Sequence, residues 1–251
     1  MKAMVLAAGL GTRLRPLTSD RPKALVEIAG RTLLEINLKR LRNVGVSQVI
    51  INLHHFADMV QDYLTANQNF GLQIEISRED GRLLDTGGGL KKAAYFFQHS
   101  AGREEPFFLH NVDVISDIDL PRMLSYHIKR KALATLAVQE RETSRYLLFD
   151  NALELCGRRA GKEGEPHLLR AAQQPQALAF SGIHVISPRF LAMMTEQGAF
   201  SIIDSYLRVA QGGEKIAGFR ADEYYWRDLG KTEHIAKAAE DIVNKRIVLP
   251  R

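Results

Sequence analysis

The chain has 251 residues, 45% of them hydrophobic and 25% charged, with a net charge of +5 and a pI near 9.3. This composition is ordinary for a soluble globular protein with one sizeable core, and the length allows one domain or at most two. The basic residues are spread along the chain without a long Lys/Arg block or an RNP-type aromatic motif, which argues against nucleic acid, and the lone Cys156 allows no intrachain disulfide and points to a reducing compartment.

Ala3 to Ala8 (AMVLAA) is a short apolar run bounded by glycine, as expected of a buried parallel strand. It stops at Gly9 before a signal-type apolar region could develop, and no apolar stretch approaches a membrane span, so a cytoplasmic location with no membrane partner is expected. Gly9-Leu10-Gly11-Thr12-Arg13 follows. Two glycines let the backbone turn and approach a ligand closely, so that amide N–H groups can point at phosphate oxygens. Arg13 adds a fork of donors and Lys23 a mobile point charge, with Arg15 and Arg21 close by and Pro16 and Pro22 stiffening the backbone. Neither a dinucleotide-binding fingerprint nor a P-loop fits: no third glycine opens a long helix, and no Gly-Lys-Ser/Thr follows.

The runs AAGLGTRLRPLT and RPKALVEIAGRTLLE closely resemble the signature of the sugar-1-phosphate nucleotidyltransferases, which join a nucleoside triphosphate to a sugar 1-phosphate. The resemblance implies that Gly9, Gly11 and Arg13 hold the triphosphate and that Lys23 contacts phosphate near the reacting centre, with Ala8, Thr12 and, further on, Asn111 among the nucleotide contacts.

Leu33 to Val44 has a helix pattern, with Leu34, Leu38, Leu41 and Val44 on one face and Lys39, Arg40 and Arg42 opposite. Gln48 to Leu53 (QVIINL) reads as a strand, Ala57 to Asn67 as a helix and Leu72 to Ser77 as a strand. His54 and His55 are expected in loop or core hydrogen bonds, since consecutive strand side chains face opposite ways. Asp85-Thr86-Gly87-Gly88-Gly89 then leads into a helix from Lys91 to Phe97. Three glycines suit either a hinge or bare backbone against a flat base. By resemblance, Thr86, Gly87 and Gly88 lie beside the nucleotide base.

The strand Pro106 to Leu109 delivers Asp113 to the crevice where parallel sheets bind ligands, a suitable place for Mg²⁺. Asp117 and Asp119 are expected to serve turns and caps before a helix from Pro121 to Lys131. Ala132 to Gln139 is a strand, Tyr146 to Phe149 and Leu153 to Cys156 suggest a hairpin, and Arg158 to Gln176 lacks any period, so it is expected to be either a mobile loop over substrate or a surface excursion. Ala177 to Ile186 is a strand; its Ser181 and Gly182 resemble the family's small-Gly-Ile strand end that faces the sugar. Ser201 to Ala210 reads as a helix and Ile216 to Phe219 as a strand. Trp226-Arg227-Asp228-Leu229-Gly230 can be a sheet-core turn, and it also resembles the family's W-x-D-x-G segment, which makes Asp228 the second metal ligand. Lys231 to Lys245 closes the chain as a helix.

The expected fold is α/β: one domain over 1–251 with a Rossmann-like, mostly parallel sheet flanked by helices, of the nucleotide-diphospho-sugar transferase type. Residues 1–130 form mainly the nucleotide half and 131–251 the sugar half, in a monomer or small homo-oligomer. Two departures from the family pattern stand out. Val112 precedes Asp113 where many members have glycine, which narrows the space near ribose or sugar, and Gln173-Gln174-Pro175 replaces an acidic-Lys-Pro segment that contacts the sugar. The Asp85 to Gly89 run resembles the small subgroup of N-acetylmuramate 1-phosphate uridylyltransferases and mannose or heptose 1-phosphate guanylyltransferases, with the uridylyl activity favoured. The rival reading is a non-catalytic nucleotide-sensing subunit.

Overall fold

A computed structural model describes residues 1–98 and 105–250. Strand β1 (Lys2–Leu6) leads through the glycine loop and two short 3₁₀ turns to a small hairpin, β2 (Glu27–Ile28) and β3 (Arg31–Thr32). Helix α1 (Leu33–Asn43) follows, its first turn capped by the Thr32 hydroxyl, which accepts from the Glu35 amide at 3.0 Å. Next come β4 (Gln48–Leu53), α2 (Ala57–Ala66), β5 (Gln73–Arg78), α3 (Asp85–Lys92), α4 (Tyr95–Gln98), β6 (Phe107–Asn111) and β7 (Val114–Ser116). The second half contains α5 (Leu120–Arg130), β8 (Ala134–Gln139), β9 (Arg145–Phe149), β10 (Leu155–Ala160), β11 (His167–Leu168), β12 (Gln176–Ile186), α6 (Arg189–Ala192), α7 (Ile202–Gln211), β13 (Ile216–Arg220), β14 (Trp226–Asp228) and α8 (Thr232–Val243).

The strands β5, β4, β1 and β6 are mutually parallel, in that order across the sheet. The chain therefore winds outwards from β1 to β5, then crosses back to lay β6 on the other side of β1. That reversal leaves a crevice at the carboxyl ends of β1 and β6, where open α/β sheets bind ligands. The long strand β12 runs antiparallel to β6 and carries the same sheet on to β9, β10 and β11 and to the parallel pair β8–β13. Both faces are buried, as the period of two requires: Ala3, Val5, Val49, Ile51 and Phe108 pack on α1, α2, α5 and α8, while Met4, Ile50, Phe107 and Leu109 pack under α3, α4, α6 and α7. Each fully buried Leu, Ile or Phe here contributes about 1.5–3 kcal/mol of transfer free energy.

Arg40, opposite the apolar stripe of α1, reaches into the protein and donates to Ser116 Oγ and the Ile118 carbonyl, each at 2.5 Å, and burial pulls its pKa down to about 10. Three expectations are corrected. The glycines at 87–89 do not precede the helix but lie within α3. The segment 158–176 is not wholly irregular, because β10 continues to Ala160 and pairs with β11 through Gly157↔Leu168 and Arg158↔His167. Gly157 makes this possible: a Cβ there would stand 2.3 Å from the His167 carbonyl oxygen. Asp119 has the role expected, capping α5 by accepting from the Arg122 amide at 2.8 Å, whereas Asp117 does not serve a local turn: its carboxylate accepts from the Tyr225 amide at 2.7 Å and its own amide donates to the Tyr225 carbonyl, so it ties the approach of β14 to the end of β7. His54 Nδ1 bonds the Glu79 carbonyl at 2.6 Å. Among the described residues, no helix is long and apolar enough to cross a membrane.

Candidate active site

The crevice is a cavity of about 180 Å³ lined by residues that leave β1, β4, β5 and β6 at their carboxyl ends and by the start of α3. Of the residues singled out in the sequence, Ala8, Gly9, Lys23, Thr86, Asn111 and Asp113 line it. Gly9 has open space where a side chain would be. Gly11 takes φ +64°, and a Cβ on it would lie 3.1 Å from Thr18 Cγ2 and 3.2 Å from Lys23 Cβ, so glycine is what lets the lysine-bearing segment fold back on the loop. The Thr18 hydroxyl fastens that return by donating to the Gly11 carbonyl at 2.8 Å. Thr12 and Arg13 follow in an exposed 3₁₀ turn.

Lys23 is buried, and its ammonium contacts the carboxylate of Asp113. The Asp113 carbonyl accepts from the Leu229 amide at 2.8 Å, and β14 pairs antiparallel with β7 so that Asp228 stands opposite Val114. These main-chain bonds bring two carboxylates 115 positions apart in sequence to one end of the sheet. Asp228 Oδ1 accepts from the Gly230 amide at 2.9 Å. A Cβ on Gly230 would meet both Asp228 Oδ1 and Arg13 Nη2, at 2.7 and 2.8 Å, so Gly230 is the gap through which Arg13 reaches the Asp228 turn. Among the described residues no three His, Cys, Asp or Glu side chains gather as a metal cluster. Two carboxylates nevertheless fit Mg²⁺, a hard cation that is commonly held by one or two of them together with substrate phosphates.

The other expected positions serve the walls. The Gly87 and Gly88 amides both point to the Phe200 carbonyl, at 2.9 and 3.4 Å, and added Cβ atoms would strike the Phe200 ring at 2.3 Å and the Gly198 carbonyl at 2.4 Å. Their bareness therefore admits the 198–200 segment, and the crevice side of this turn is formed by Leu83, Asp85 and Thr86. Ser181 is fully buried, its hydroxyl 3.3 Å from Gln139 Oε1 and its carbonyl accepting from Trp226 Nε1 at 2.7 Å, so its side chain braces the wall. Gly182 takes φ +74° where the β12–β8 register shifts, close against Asn111 and Val114. Val112 is buried in the core and lines the crevice. Gln173 and Gln174 are exposed.

Several participants went unnoticed in the sequence. Asn52 and Glu79 are buried and line the crevice; Asn52 accepts from the Ala7 amide at 2.8 Å and donates to Glu79 at 2.7 Å, and Glu79 accepts from the Leu84 amide at 2.8 Å. Asn37 of α1 donates to the Val112 carbonyl at 2.9 Å and so steadies the turn that carries Asp113. A polar Asn inside QVIINL and another on the apolar face of α1 were the available signals. Beneath the site, His110 and His184 are both buried and each is pushed down to about 3: burial is the main cause for both, with the Arg40 charge adding for His110.

Residues 2–152, more than half of the chain, match the nucleotidyl transferase family. The chain belongs to that family. This nucleotidyltransferase is 35% identical over 238 residues to the N-acetylmuramate alpha-1-phosphate uridylyltransferase of Caulobacter vibrioides, covering 91% of each chain. It is 27% identical to the mannose-1-phosphate guanylyltransferase catalytic subunit beta of Dictyostelium discoideum, over 92% of this chain and 61% of that one. In structure it is similar to HddC from Yersinia pseudotuberculosis complexed with GMP-PN, with a TM-score of 0.74 at 22% identity, covering 96% of this chain and 99% of that one. The chain is thus a sugar-1-phosphate nucleotidyltransferase of the nucleotide-diphospho-sugar transferase fold, as its glycine loop led one to expect.

Proposed function

We propose that this enzyme transfers a uridylyl group from UTP to N-acetylmuramate 1-phosphate in a Mg²⁺-dependent reaction, giving the UDP-sugar and pyrophosphate. One observation carries the reading: Lys23 and Asp113 meet in the crevice that the anion loop opens, and main-chain pairing sets Asp228 beside the turn that carries Asp113. Similarity to the Caulobacter uridylyltransferase supports the choice of substrates.

A sugar phosphate oxygen attacks the α-phosphorus while the bond to the departing pyrophosphate breaks in line. The protein has to bring two anions together and hold them aligned. Arg13 and the loop from Ala8 to Thr12 hold the triphosphate and balance the charge that gathers on the leaving pyrophosphate. Lys23, at the boundary between loop and carboxylates, draws the attacking and attacked phosphates together. Asp113 and Asp228 would hold Mg²⁺, whose chemistry when bound is neutralisation of phosphate charge. Alignment of this kind supplies up to about 7–11 kcal/mol towards the barrier. Asn111 contacts the nucleotide, Thr86 borders the base from a turn that Gly87 and Gly88 let pack on the 198–200 segment, and Gly182 with Ser181 shapes the sugar side. We place the reaction in the cytoplasm, in nucleotide-sugar supply for the cell wall, in a single-domain protein acting as a monomer or small homo-oligomer.

Similarity to mannose-1-phosphate guanylyltransferases favours a second reading, GTP with mannose or heptose 1-phosphate. Pyrophosphate release from UTP and GTP paired with each sugar 1-phosphate, with and without excess EDTA, tests both. The expected result is the highest kcat/KM for UTP with N-acetylmuramate 1-phosphate and none in EDTA. A preference for GTP, or turnover without divalent metal, would overturn the first reading.

A further inference from the structure

Arg141 lies two residues beyond the end of β8, in the turn to β9, and is held in an unusual way. Its guanidinium carbon sits 3.7 Å from the centre of the Trp226 ring, close enough for a strong cation–π stack. One arm of the fork, Nη2, donates to the Phe180 carbonyl at 2.7 Å. Nε is buried and has no hydrogen-bond partner among the described residues, and no carboxylate there forms a salt bridge with this side chain. A planar cation with donors to spare and no paired anion is an incomplete arrangement, since buried charges are ordinarily compensated.

The neighbourhood indicates what completes it. Trp226 and Asp228 are two positions apart on β14 and therefore share one face, so the guanidinium stacked on the first is directed to the side of the sheet where the second stands. Burial works against the charge on Arg141 and the Asp228 carboxylate works in its favour, which puts the two groups within electrostatic reach. The Trp226 indole donates to the Ser181 carbonyl, so Arg141, Trp226 and the Phe180–Gly182 bend form one wall beside the carboxylate pair. Of the other cations near this wall, Arg227 is engaged with Asp241 and the Tyr225 hydroxyl, Arg220 with Asp222 and Glu140, and Lys23 with Asp113, while Arg13 reaches the Asp228 turn from the Gly230 side and is assigned to the triphosphate. The exposed pair Gln173 and Gln174 brings no charge.

We propose that Arg141 receives the phosphate group of the sugar 1-phosphate, holding it on the Trp226 side of the crevice next to Asp228. The proposal rests on the nucleotidyl-transfer reading above for the identity of its ligand. A guanidinium matches two phosphate oxygens at once, which orients the group as well as attracting it.

Arg141→Met keeps an apolar stem over the indole and removes the charge. It is expected to raise KM for the sugar 1-phosphate about 10- to 100-fold. KM for the nucleoside triphosphate should stay within about twofold, and Arg141→Lys should recover part of the loss. An unchanged sugar 1-phosphate KM overturns the proposal, as do both KM values rising together with a lowered Tm. Trp226 is the only tryptophan in the chain, so its fluorescence gives a readout independent of turnover. N-acetylmuramate, mannose and glucose 1-phosphates are titrated into each protein, alone and with a non-hydrolysable UTP analogue. A saturable signal in the wild type that disappears in Arg141→Met supports the assignment; no wild-type signal with any of the three overturns it. Should the wild type release no pyrophosphate from any pair, the reaction reading falls, and the fluorescence titration still decides on Arg141.

Discussion

Replacing Gly88 by alanine separates two uses of a glycine that look alike in sequence. If the glycine served open backbone, alanine in a helix interior would stabilise the protein by about 1 kcal/mol and raise Tm. The structure predicts the opposite sign. The new Cβ would stand 2.4 Å from the Gly198 carbonyl oxygen and 3.0 Å from Leu84 Cβ. The 198–202 segment is not free to retreat: the Phe200 carbonyl takes the Gly87 and Gly88 amides, the Phe200 amide donates to Leu84, and the Ile202 amide donates to the Thr86 hydroxyl at 3.0 Å. Overpacking costs about 1–3 kcal/mol, and contact with main chain places this case at the upper end. After the helix-propensity gain, the net loss is about 1–2 kcal/mol, equivalent to a fall in Tm of about 2–8 °C for a chain of this size. Thermal unfolding followed by circular dichroism measures it. A Tm equal to or above that of the wild type would refute the packing argument.

Asp113→Ala is expected to abolish Mg²⁺-dependent pyrophosphate release while the protein still folds, with a lowered Tm because the buried Lys23 ammonium loses its partner, and full turnover in that variant would remove Asp113 from the metal site. Lys23→Ala should weaken turnover with both substrates present; wild-type kinetics there would exclude it from the phosphate site. Asp241 is buried and accepts from the Tyr225 hydroxyl at 2.9 Å, Arg227 at 2.5 Å and Arg246 at 3.2 Å, fastening α8 to the strand that carries Asp228. Asp241→Ala should therefore cost about 3 kcal/mol in denaturant unfolding and lower kcat as well, and a loss below about 0.5 kcal/mol would show that this cluster is not structural. His110 and His184 stay neutral in the folded protein down to about 3, whereas the unfolded chain protonates each near 6.5. The unfolded state thus binds more protons between those values, so stability is complete above about pH 6.5 and falls with acidification by about 1.4 kcal/mol per pH unit for each histidine. His184→Gln, which retains a partner for the Tyr206 hydroxyl, should reduce the slope measured by urea unfolding between pH 5 and 6; an unaltered slope would count against burial as the cause.

Periodicity made most elements legible before any coordinates. Gln48–Leu53 is found as read, and α1, α2, α5, β12 and α8 differ from expectation by a residue or two at their ends, where helices fray and strands lose partners. The inward reach of Arg40 was not legible, because a helix pattern shows which residues are polar and not which polar residues find partners inside. The strand β11 was missed because its pairing depends on Gly157 admitting a neighbouring main chain, an event with no local signature.

The same division runs through the site. The glycine loop, Arg13 and Lys23 fall within a dozen or so residues, so their chemistry could be read locally, and Asp113 followed from its place after an apolar strand. Neighbourhood across long separations was decided only by folding. The Leu229 amide on the Asp113 carbonyl, the Gly230 gap beside Arg13, the closure of Gly87 and Gly88 by Phe200, and the stack of Arg141 on Trp226 all join segments that adjacent sequence does not relate. The amino-acid sequence by itself determined which residue types were available for phosphate chemistry, because backbone freedom and side-chain charge are properties of single residues. Which of them face one another was left to the tertiary structure, because that depends on sheet order and on contacts among residues far apart in sequence, from 85 positions for Arg141 and Trp226 upwards.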